Sequence, residues 1–417
     1  MMDRLLVFAL SKIVRVGNLQ VITPSGAFVF GDGSGPPILA RFHDTRAVFA
    51  FVTDPDMKLG ELFMDARLTI DAGTIYDFLY ALIWKSRDVR PPLLGRIIDR
   101  LRFIGQRIWK KNFPRRSKRN VAHHYDLDER LYRLFLDADM QYSCAYFENA
   151  DIDLEQAQLA KKRHIAAKLC IEPGCRVLDI GCGWGGLALY LTNVAGAESV
   201  LGITLSEEQL HVAQRRKSQS RREGSVSFSL TDYRDVTGTF DRIVSVGMFE
   251  HVGASFYNHF FASCHHLLAD DGLMLLHTIG CSNRPGFPTP WHNKYIFPGG
   301  YIPSLSEIVP VIERHGFIIS DIEILQGHYA LTLRSWRQRF LSRRAEAANL
   351  YDERFCRMWE FYLASAEVAF RCENLNVFQL QLTRRPAVTP PTRAYIEARE
   401  ASLRGLETLQ HGEQSWL

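Results

Sequence analysis

A glycine-rich stretch is the part of this chain whose residue types and spacing most directly predict chemistry. Val177–Gly186 reads VLDIGCGWGG, with an acid, Asp179, two residues before the first of several close-set glycines. Gly181 and Gly183 permit the positive φ angles of a tight turn and let a ligand approach the backbone closely. No Gly-Lys-Ser/Thr follows, so the stretch is not a Walker loop. It predicts a strand, a turn and a helix that together hold a ligand.

The D-x-G-x-G form of this stretch resembles the S-adenosylmethionine loop of class I methyltransferases, and polar residues follow later predicted strands as well. In an open α/β sheet, ligands bind outside the carboxyl ends of the strands. Thr204, Leu205 and Gln209 come after the second strand, where the hydroxyl and amide can replace the acid that commonly binds a ribose. Asp232 and Tyr233 come after the third, where they suit adenine. Each alone is equally a helix cap or turn residue, but their recurrence favours a binding site.

Strands and helices alternate along the middle of the chain. The predicted strands are Arg176–Ile180, Val200–Ile203, Ser225–Leu230, Arg242–Val246 and Leu273–Thr278, with a closing antiparallel pair at Ile318–Leu325 and Tyr329–Arg334. This pattern predicts an α/β fold with the seven-stranded, Rossmann-like sheet of class I methyltransferases. The length of 417 residues favours two domains. We expect a small N-terminal α+β domain at 1–118, the catalytic domain at 119–388, and a loosely held tail at 389–417.

Composition and charge narrow the possible classes of protein. The net charge of +4 is too small to indicate a nucleic-acid partner. Ten basic residues and one acid, Asp99, lie between Arg96 and Arg119, which predicts either a solvated helix face or a patch for anionic lipid head groups.

The sequence predicts no membrane-spanning segment, because no apolar run is long enough to span a bilayer. Charged residues interrupt the apolar run in Met1–Val16, so this segment makes a poor signal peptide. The eight cysteines lack C-x-x-C pairs, which favours a reducing cytoplasm. The paired histidines lack metal-ligand spacing, so we predict no metal.

With these residues placed, the chain is similar to the cyclopropane fatty acid synthases, which use S-adenosylmethionine to methylenate cis double bonds of membrane phospholipid acyl chains. The resemblance extends from about His124 to Leu382 through MQYSCAYFE, FDRIVSVGMFEHVG, LLHTIG and NKYIFPGGYIPS. A weaker match at Leu59–Ala66 falls where the family carries a lipid-binding domain. The resemblance implies that Tyr142, Ser143 and Phe249 also contact the cofactor.

The chemistry of this family sets what its residues must do. An isolated alkene is a weak nucleophile, so the sulfonium methyl must be held close and in line. Attack gives a carbocation, which a dry, aromatic-lined pocket protects. Candidates for that lining are Tyr142, Tyr146, Phe147, Phe249, Tyr295 and Phe297. In the family a bound bicarbonate is thought to take the proton that allows ring closure. The resemblance implies that its ligands are Cys144, Glu250, His277, the Ile279 backbone and Tyr329.

Each member of this cluster has an ordinary structural alternative. Cys144 can be a small buried hydrophobe, His277 a satisfied core histidine, and Tyr329 a core phenol with one partner. Glu250 is harder to explain in this way, because a carboxylate in an apolar segment needs a partner. Ala366 replaces a cysteine that many family members carry, so either that thiol is dispensable or activity is lost; the intact cluster favours the first.

Three functions follow from these residues. The favoured one is cyclopropane formation on unsaturated phospholipids at an anionic membrane surface. The second is a related methyltransferase that makes methyl-branched or methylene chains, or acts on a small molecule. The third is a non-catalytic protein that binds lipid or cofactor. The resemblance also implies a homodimer, and we expect a cytoplasmic protein bound peripherally to the inner face of the membrane.

Overall fold

The structure is a computed structural model that describes residues 2–86, 127–220, 222–283 and 285–414. Contacts between Cα atoms divide these residues into two compact units. The first unit contains residues 2–86, 287–298 and 330–375, and the second contains the rest. The chain therefore returns twice to the first unit, at 287–298 and at 330–375. The predicted domain boundaries at 118 and 388 place both of these segments in the catalytic domain. The basic segment Arg96–Arg119 lies outside the described residues.

The helices and strands are as follows in chain order. The helices are α1 (Met2–Ile13), α2 (Thr45–Thr53), α3 (Pro55–Met64), α4 (Ile75–Ser86), α5 (Glu129–Tyr132), α6 (Leu154–Lys168), α7 (Gly186–Asn193), α8 (Glu207–Lys217), α9 (Tyr257–Leu267), α10 (Pro290–Tyr295), α11 (Leu305–Arg314), α12 (His328–Ser342), α13 (Arg344–Leu350), α14 (Glu353–Cys372) and α15 (Ala394–Gln414). The strands are β1 (Leu19–Thr23), β2 (Gly26–Phe30), β3 (Ile38–Phe42), β4 (Leu68–Ala72), β5 (Arg176–Ile180), β6 (Ser199–Thr204), β7 (Val226–Leu230), β8 (Phe240–Val246), β9 (Leu268–Cys281), β10 (Ile318–Leu325) and β11 (Leu375–Thr383).

The first unit is an α+β structure built on a four-stranded sheet of order β2–β1–β3–β4. Strand β1 runs antiparallel to β2 and parallel to β3, and their buried faces carry apolar side chains such as Val21 and Phe42. The helical α2 replaces a strand that the β-branched and aromatic residues of Ala47–Phe51 predict. Asp44 caps this helix by accepting a hydrogen bond from Ala47 N at 2.8 Å, so the cap overrides strand propensity.

The second unit contains the predicted seven-stranded sheet, in the order β10–β11–β9–β8–β5–β6–β7. Strands β5 to β9 pair in parallel, and β10 and β11 pair antiparallel at the edge. This is the class I methyltransferase arrangement, in which parallel strands joined by helices present their carboxyl ends at one edge. The α/β fold class is confirmed.

The predicted strand at Tyr329–Arg334 is wrong, because these residues belong to helix α12. Ala330, Leu333, Trp336 and Phe340 are buried at helical spacing, which gives α12 one apolar face. The seventh strand comes instead from β11, which is buried on both faces and pairs with β10 from Ile318↔Thr383 to Leu325↔Val377.

The prediction of a loosely held C-terminal tail is also wrong. Helix α15 packs against α6, a helix with twelve of its fifteen residues buried. Arg163 of α6 donates to both carboxylate oxygens of Glu407 and is only 7% exposed in its side chain. The same carboxylate accepts from Tyr190 OH at 2.6 Å. A buried carboxylate with two partners therefore fixes α15 to the second unit.

We expect Glu407→Gln to lower the melting temperature, because it removes the buried charged partner of Arg163 and leaves its guanidinium with the more exposed Glu148, at 3.0 Å. The cost is about 2 kcal/mol in the free energy of unfolding, the value of a hydrogen bond to a charged group. Glu397→Gln is the matched control, since Glu397 is exposed on the same helix. Chemical denaturation of both variants checks the difference. Equal stability of the two variants would contradict the proposed role of the pair.

Candidate active site

The glycine turn after β5 has the geometry that its sequence predicts. Gly181 and Gly183 have φ angles of 83° and 54°, and Gly181 N donates to Ile203 O at 2.9 Å. A Cβ at Gly181 would lie 2.8 Å from Met248 Cβ, so only glycine fits there. A Cβ at Gly183 would meet nothing within 4 Å. The backbone at Gly183 therefore faces open space at the carboxyl edge of the sheet.

This open space is a cavity that receives nearly all of the residues predicted to bind a cofactor. The predicted residues that line it are Tyr142, Ser143, Asp179, Gly181, Gly183, Thr204, Leu205, Gln209, Asp232 and Tyr233. They come from three strand ends and from the loop that precedes α6. The loop and the sheet edge thus enclose one site, as the strand-end argument requires.

The predicted ribose and adenine contacts are partly occupied by protein partners. Thr204 Oγ1 donates to Gln209 Oε1 at 3.0 Å, which leaves the Gln209 amide N–H groups to face a ligand. Asp232 accepts from Arg234 Nε at 2.7 Å. The Arg234 guanidinium also lies 5.4 Å from the centre of the Tyr233 ring. A ligand at this end of the cavity must therefore share the Asp232 carboxylate with the guanidinium of Arg234. The sequence analysis did not identify Arg234.

Asp179 is the buried acid of the glycine stretch, and it is only 1% exposed. Its Oδ2 atom has no hydrogen-bond partner among the described residues. Burial raises the pKa of its carboxyl to about 7. An unpartnered carboxylate oxygen at a ligand cavity suits a cationic group, and the amino acid part of S-adenosylmethionine carries an ammonium. The residues present therefore fit this cofactor.

Phe249 does not fit its predicted contact with the cofactor. It is fully buried and is not among the described residues that line the cavity. A short 3-10 turn points its ring into the core, where it stacks on Tyr257 with ring centres 4.3 Å apart. Neighbouring Met248 and His251 line the cavity instead. The motif places this turn at the site but does not show which side chain faces the ligand.

Glu250, in the same turn, is held by strand β9. Its Oε1 atom accepts a hydrogen bond from Ile279 N at 2.6 Å, and Oε2 is buried without a partner among the described residues. Burial raises the pKa of this carboxyl to about 7, although the bond from Ile279 opposes the shift. The group is therefore a carboxyl that can be protonated near neutral pH.

His277 lies two residues before Ile279 on β9, so both residues occur on one face of the strand. Its ring is buried, and Gln379 Nε2 donates to Nδ1 at 3.2 Å, which leaves Nε2 to carry the ring proton. Burial lowers the pKa of the imidazole to about 3. His277 is thus a neutral donor on the strand that binds Glu250 through Ile279 N.

Cys144 and Tyr329 are placed by a second set of contacts. Cys144 is buried, and its Sγ lies 3.3 Å from Ala145 O. Tyr329 is partly buried in the first turn of α12, next to His328. His328 accepts from Phe147 N at 3.1 Å, so this turn adjoins the loop that carries Cys144. Membership of Tyr329 in the cluster remains a prediction.

The predicted aromatic lining is divided between the two units. Tyr146 belongs to the second unit and stacks on His164 with ring centres 4.2 Å apart. Tyr295 and Phe297 belong to the first unit. There Tyr295 OH donates to Glu61 at 2.9 Å, and the Phe297 ring lies 5.7 Å from that of Tyr362.

Comparison with known proteins identifies the family to which this geometry corresponds. The family model described as mycolic acid cyclopropane synthetase matches residues 113–380. The cyclopropane-fatty-acyl-phospholipid synthase of Escherichia coli K12 is 41% identical over 371 residues, which cover 89% of this chain and 93% of that protein. The tuberculostearic acid methyltransferase of Mycobacterium tuberculosis is 38% identical and covers 66% of this chain and 67% of its own length.

A solved structure supports the same relationship. The mycolic acid cyclopropane synthase CmaA1, in complex with S-adenosylhomocysteine and CTAB, superposes with a TM-score of 0.60 at 35% identity. The match covers 64% of this chain and 97% of that one.

We expect S-adenosylhomocysteine to bind more tightly as pH rises from about 6 to about 8. Asp179 must be ionised to accept the ligand ammonium, and its raised pKa of about 7 places this ionisation within that range. Below the pKa, affinity falls by about tenfold per pH unit. Calorimetric titration checks this trend. Asp179→Asn is expected to bind weakly and without this pH dependence; an unchanged pH profile in that variant would exclude Asp179 as its source.

Proposed function

This chain belongs to the cyclopropane synthase family and is an S-adenosylmethionine-dependent methyltransferase, and from that premise we propose that it forms cyclopropane rings on unsaturated phospholipid acyl chains. The observation that carries the proposal is the buried Glu250 carboxyl, fixed by Ile279 N and unpartnered at Oε2, together with the neutral ring of His277 on the strand that carries Ile279. Simple methyl transfer needs no such cluster at the methyl acceptor, whereas ring closure must also remove a proton. The 41% identical relative from Escherichia coli carries this activity in its name.

When bound, S-adenosylmethionine supplies the carbon through its sulfonium methyl, and bicarbonate supplies a base for ring closure. The residues of this chain orient both groups. Asp179 and the backbone at Gly183 hold the cofactor at the sheet edge. The buried loop that carries Cys144 keeps water away from the acceptor, which extends the lifetime of positive charge there.

The protonation states in the cluster suit an anion. Protonated Glu250 donates its O–H, and His277 donates Nε2–H, because Gln379 occupies Nδ1. Ionised Glu250 would repel an anion in this buried site. The raised pKa of Glu250, about 7, keeps the donating form present near neutrality. We propose Cys144 and Tyr329 as further ligands, from the family motif.

The second candidate function is a related lipid methyltransferase whose product is a methyl-branched or methylene chain instead of a cyclopropane chain. The observation that favours it is that the 38% identical relative is named as a tuberculostearic acid methyltransferase. Both products begin with methyl transfer and differ in where the proton is lost. Mass spectrometry of lipids from an expressing host separates them. A gain of one CH2 that resists mild hydrogenation supports cyclopropane, whereas a gain that takes up hydrogen indicates a methylene chain. No change in the lipids would exclude both.

We expect Glu250→Ala and His277→Ala to lower turnover on unsaturated vesicles by about a hundredfold or more. Affinity for S-adenosylhomocysteine should stay nearly unchanged, because neither residue is among the described residues that line the cofactor cavity. Glu250→Gln is the matched variant. Its amide preserves one acceptor and one donor, so we expect it to retain more activity than Glu250→Ala. Loss of cofactor affinity in step with turnover would contradict these roles.

We further propose that the first unit docks on an anionic bilayer through adjacent helices α1 and α2. Leu5 and Phe8 on α1 and Phe49 on α2 are 47%, 60% and 53% exposed. Exposed cations, Arg4 and Lys12, lie on the same face of α1, and the Lys12 ammonium is 4.2 Å from the centre of the Phe8 ring. Exposed aromatic rings among cations suit the interface of a charged membrane. Among the described residues, no helix is long and apolar enough to cross a membrane.

Phe8→Ser and Phe49→Ser should each weaken binding to vesicles of phosphatidylglycerol by about tenfold, through lost burial of one aromatic ring. Binding should also weaken with salt, because the cations act through screened charge. Leu409→Ser is the control, since Leu409 is 68% exposed in the second unit. Flotation assays measure all three variants. Equal binding by Phe8→Ser, Phe49→Ser and Leu409→Ser would remove this surface from the proposal.

A further inference from the structure

Lys161 is a fully buried cation of the second unit. Its side chain lies on α6 with no solvent exposure, and Nζ donates to Ser143 Oγ at 2.8 Å. Ser143 lines the cofactor cavity and directly precedes Cys144 in the chain. A lysine held in this way is costly unless the surrounding groups stabilise its charge. The mechanism described above assigns it no role.

Groups from several elements face this ammonium. The loop before α6 contributes Asp137, Asp139 and Cys144, and α6 itself contributes Lys162. Asp179 of β5 and His277 of β9 also lie within its electrostatic reach. Lys161 therefore acts on both sites at once, on the cofactor cavity through Ser143 and Asp179, and on the Glu250 cluster through Cys144 and His277.

The anion cluster contains no cationic side chain of its own. His277 is neutral, since burial lowers its pKa to about 3, and Glu250 is an acid. Cys144 and Tyr329 are at most neutral donors. An anion that enters a buried site without a counter-charge is strongly disfavoured. The cluster thus needs positive charge from a neighbouring residue, and Lys161 acts on two of its members.

We propose that the Lys161 ammonium supplies the positive charge that holds an anionic base in the cluster formed by Cys144, Glu250 and His277. Lys161 is a positioning residue, since its hydrogen bond to Ser143 also fixes the loop that carries Cys144. The inference rests on the proposed function, in which bicarbonate is that base.

The test measures ring formation on vesicles of unsaturated phosphatidylglycerol, with bicarbonate titrated into carbon dioxide-depleted buffer. Lys161→Met removes the charge, and Lys161→Gln removes the charge but keeps a donor for Ser143. Both variants should raise the KM for bicarbonate by about tenfold or more, the loss expected for one charge-assisted interaction. The melting temperature of each variant reports whether it folds.

Lys162→Met is the matched control, because Lys162 is the next buried lysine of α6 and pairs with Asp139 at 2.7 Å. Because Lys162 helps to fix the same loop, Lys162→Met shares any effect of loosening that loop, and it should raise the KM for bicarbonate by less than either Lys161 variant. One outcome would overturn this inference and leave the proposed function intact. It is that the wild-type enzyme needs bicarbonate, but Lys161→Met and Lys161→Gln have the same KM for bicarbonate as the wild type. Ring formation that is independent of bicarbonate in the wild type would overturn the proposed base and this inference together, and absence of ring formation would overturn the proposed function.

A measurement on the wild-type enzyme needs no variant. Burial lowers the pKa of Lys161 to about 8. Since ionised Glu250 repels the anion and charged Lys161 attracts it, kcat/KM for bicarbonate should fall above pH about 7 and fall more steeply above about 8. A profile that does not steepen above about 8 would overturn the inference even if the Lys161 variants do not fold.

Discussion

The second unit depends on one constraint, which is that the positive charges buried on a single helix must be paired with polar or acidic groups. Helix α6 carries five basic side chains that lie inside the protein: Lys161, Lys162, Arg163, His164 and Lys168. Burying a charge without a partner costs several kcal/mol, so each must meet a polar or acidic group. The partners come from every side of the helix, from the loop before it, from β10 and from α15. These elements must assemble together or the helix cannot be buried.

The same constraint builds the site. Ser143 and Asp139 satisfy neighbouring lysines of α6, and in doing so they fix the loop that carries Tyr142 and Cys144 against the sheet edge. The glycine turn and the Glu250 turn approach the same edge from β5 and β8. A cavity that suits a cationic cofactor therefore lies at the edge where the Glu250 turn also begins. The charges that support this edge come from the helix behind it.

Much of the fold follows from local sequence. The parallel strands are runs of β-branched and aliphatic residues bounded by glycines and polar turns, so β5 and β10 begin and end where predicted. Predictions fail where distant contacts decide the outcome. A cap at Asp44 converts a strand-like segment to helix, and the apolar face of α12 requires a partner surface that its sequence does not reveal. Lys161 was missed for a similar reason: a lysine-rich helix suggests solvent, whereas its partners lie far away in sequence or in loops.

The pair formed by Arg163 and Glu407 joins residues that are 244 positions apart in the chain. During synthesis, α6 leaves the ribosome long before α15 exists, so the Arg163 guanidinium can pair with Glu148 but lacks its buried partner until the later helix arrives. Closing so large a loop is slow compared with local pairing. The nascent chain therefore spends an interval with an incompletely satisfied interior, which exposes it to chaperones and proteases. The cellular yield of the enzyme thus depends on the docking of α15, a helix that contributes no residue to the candidate active site described above.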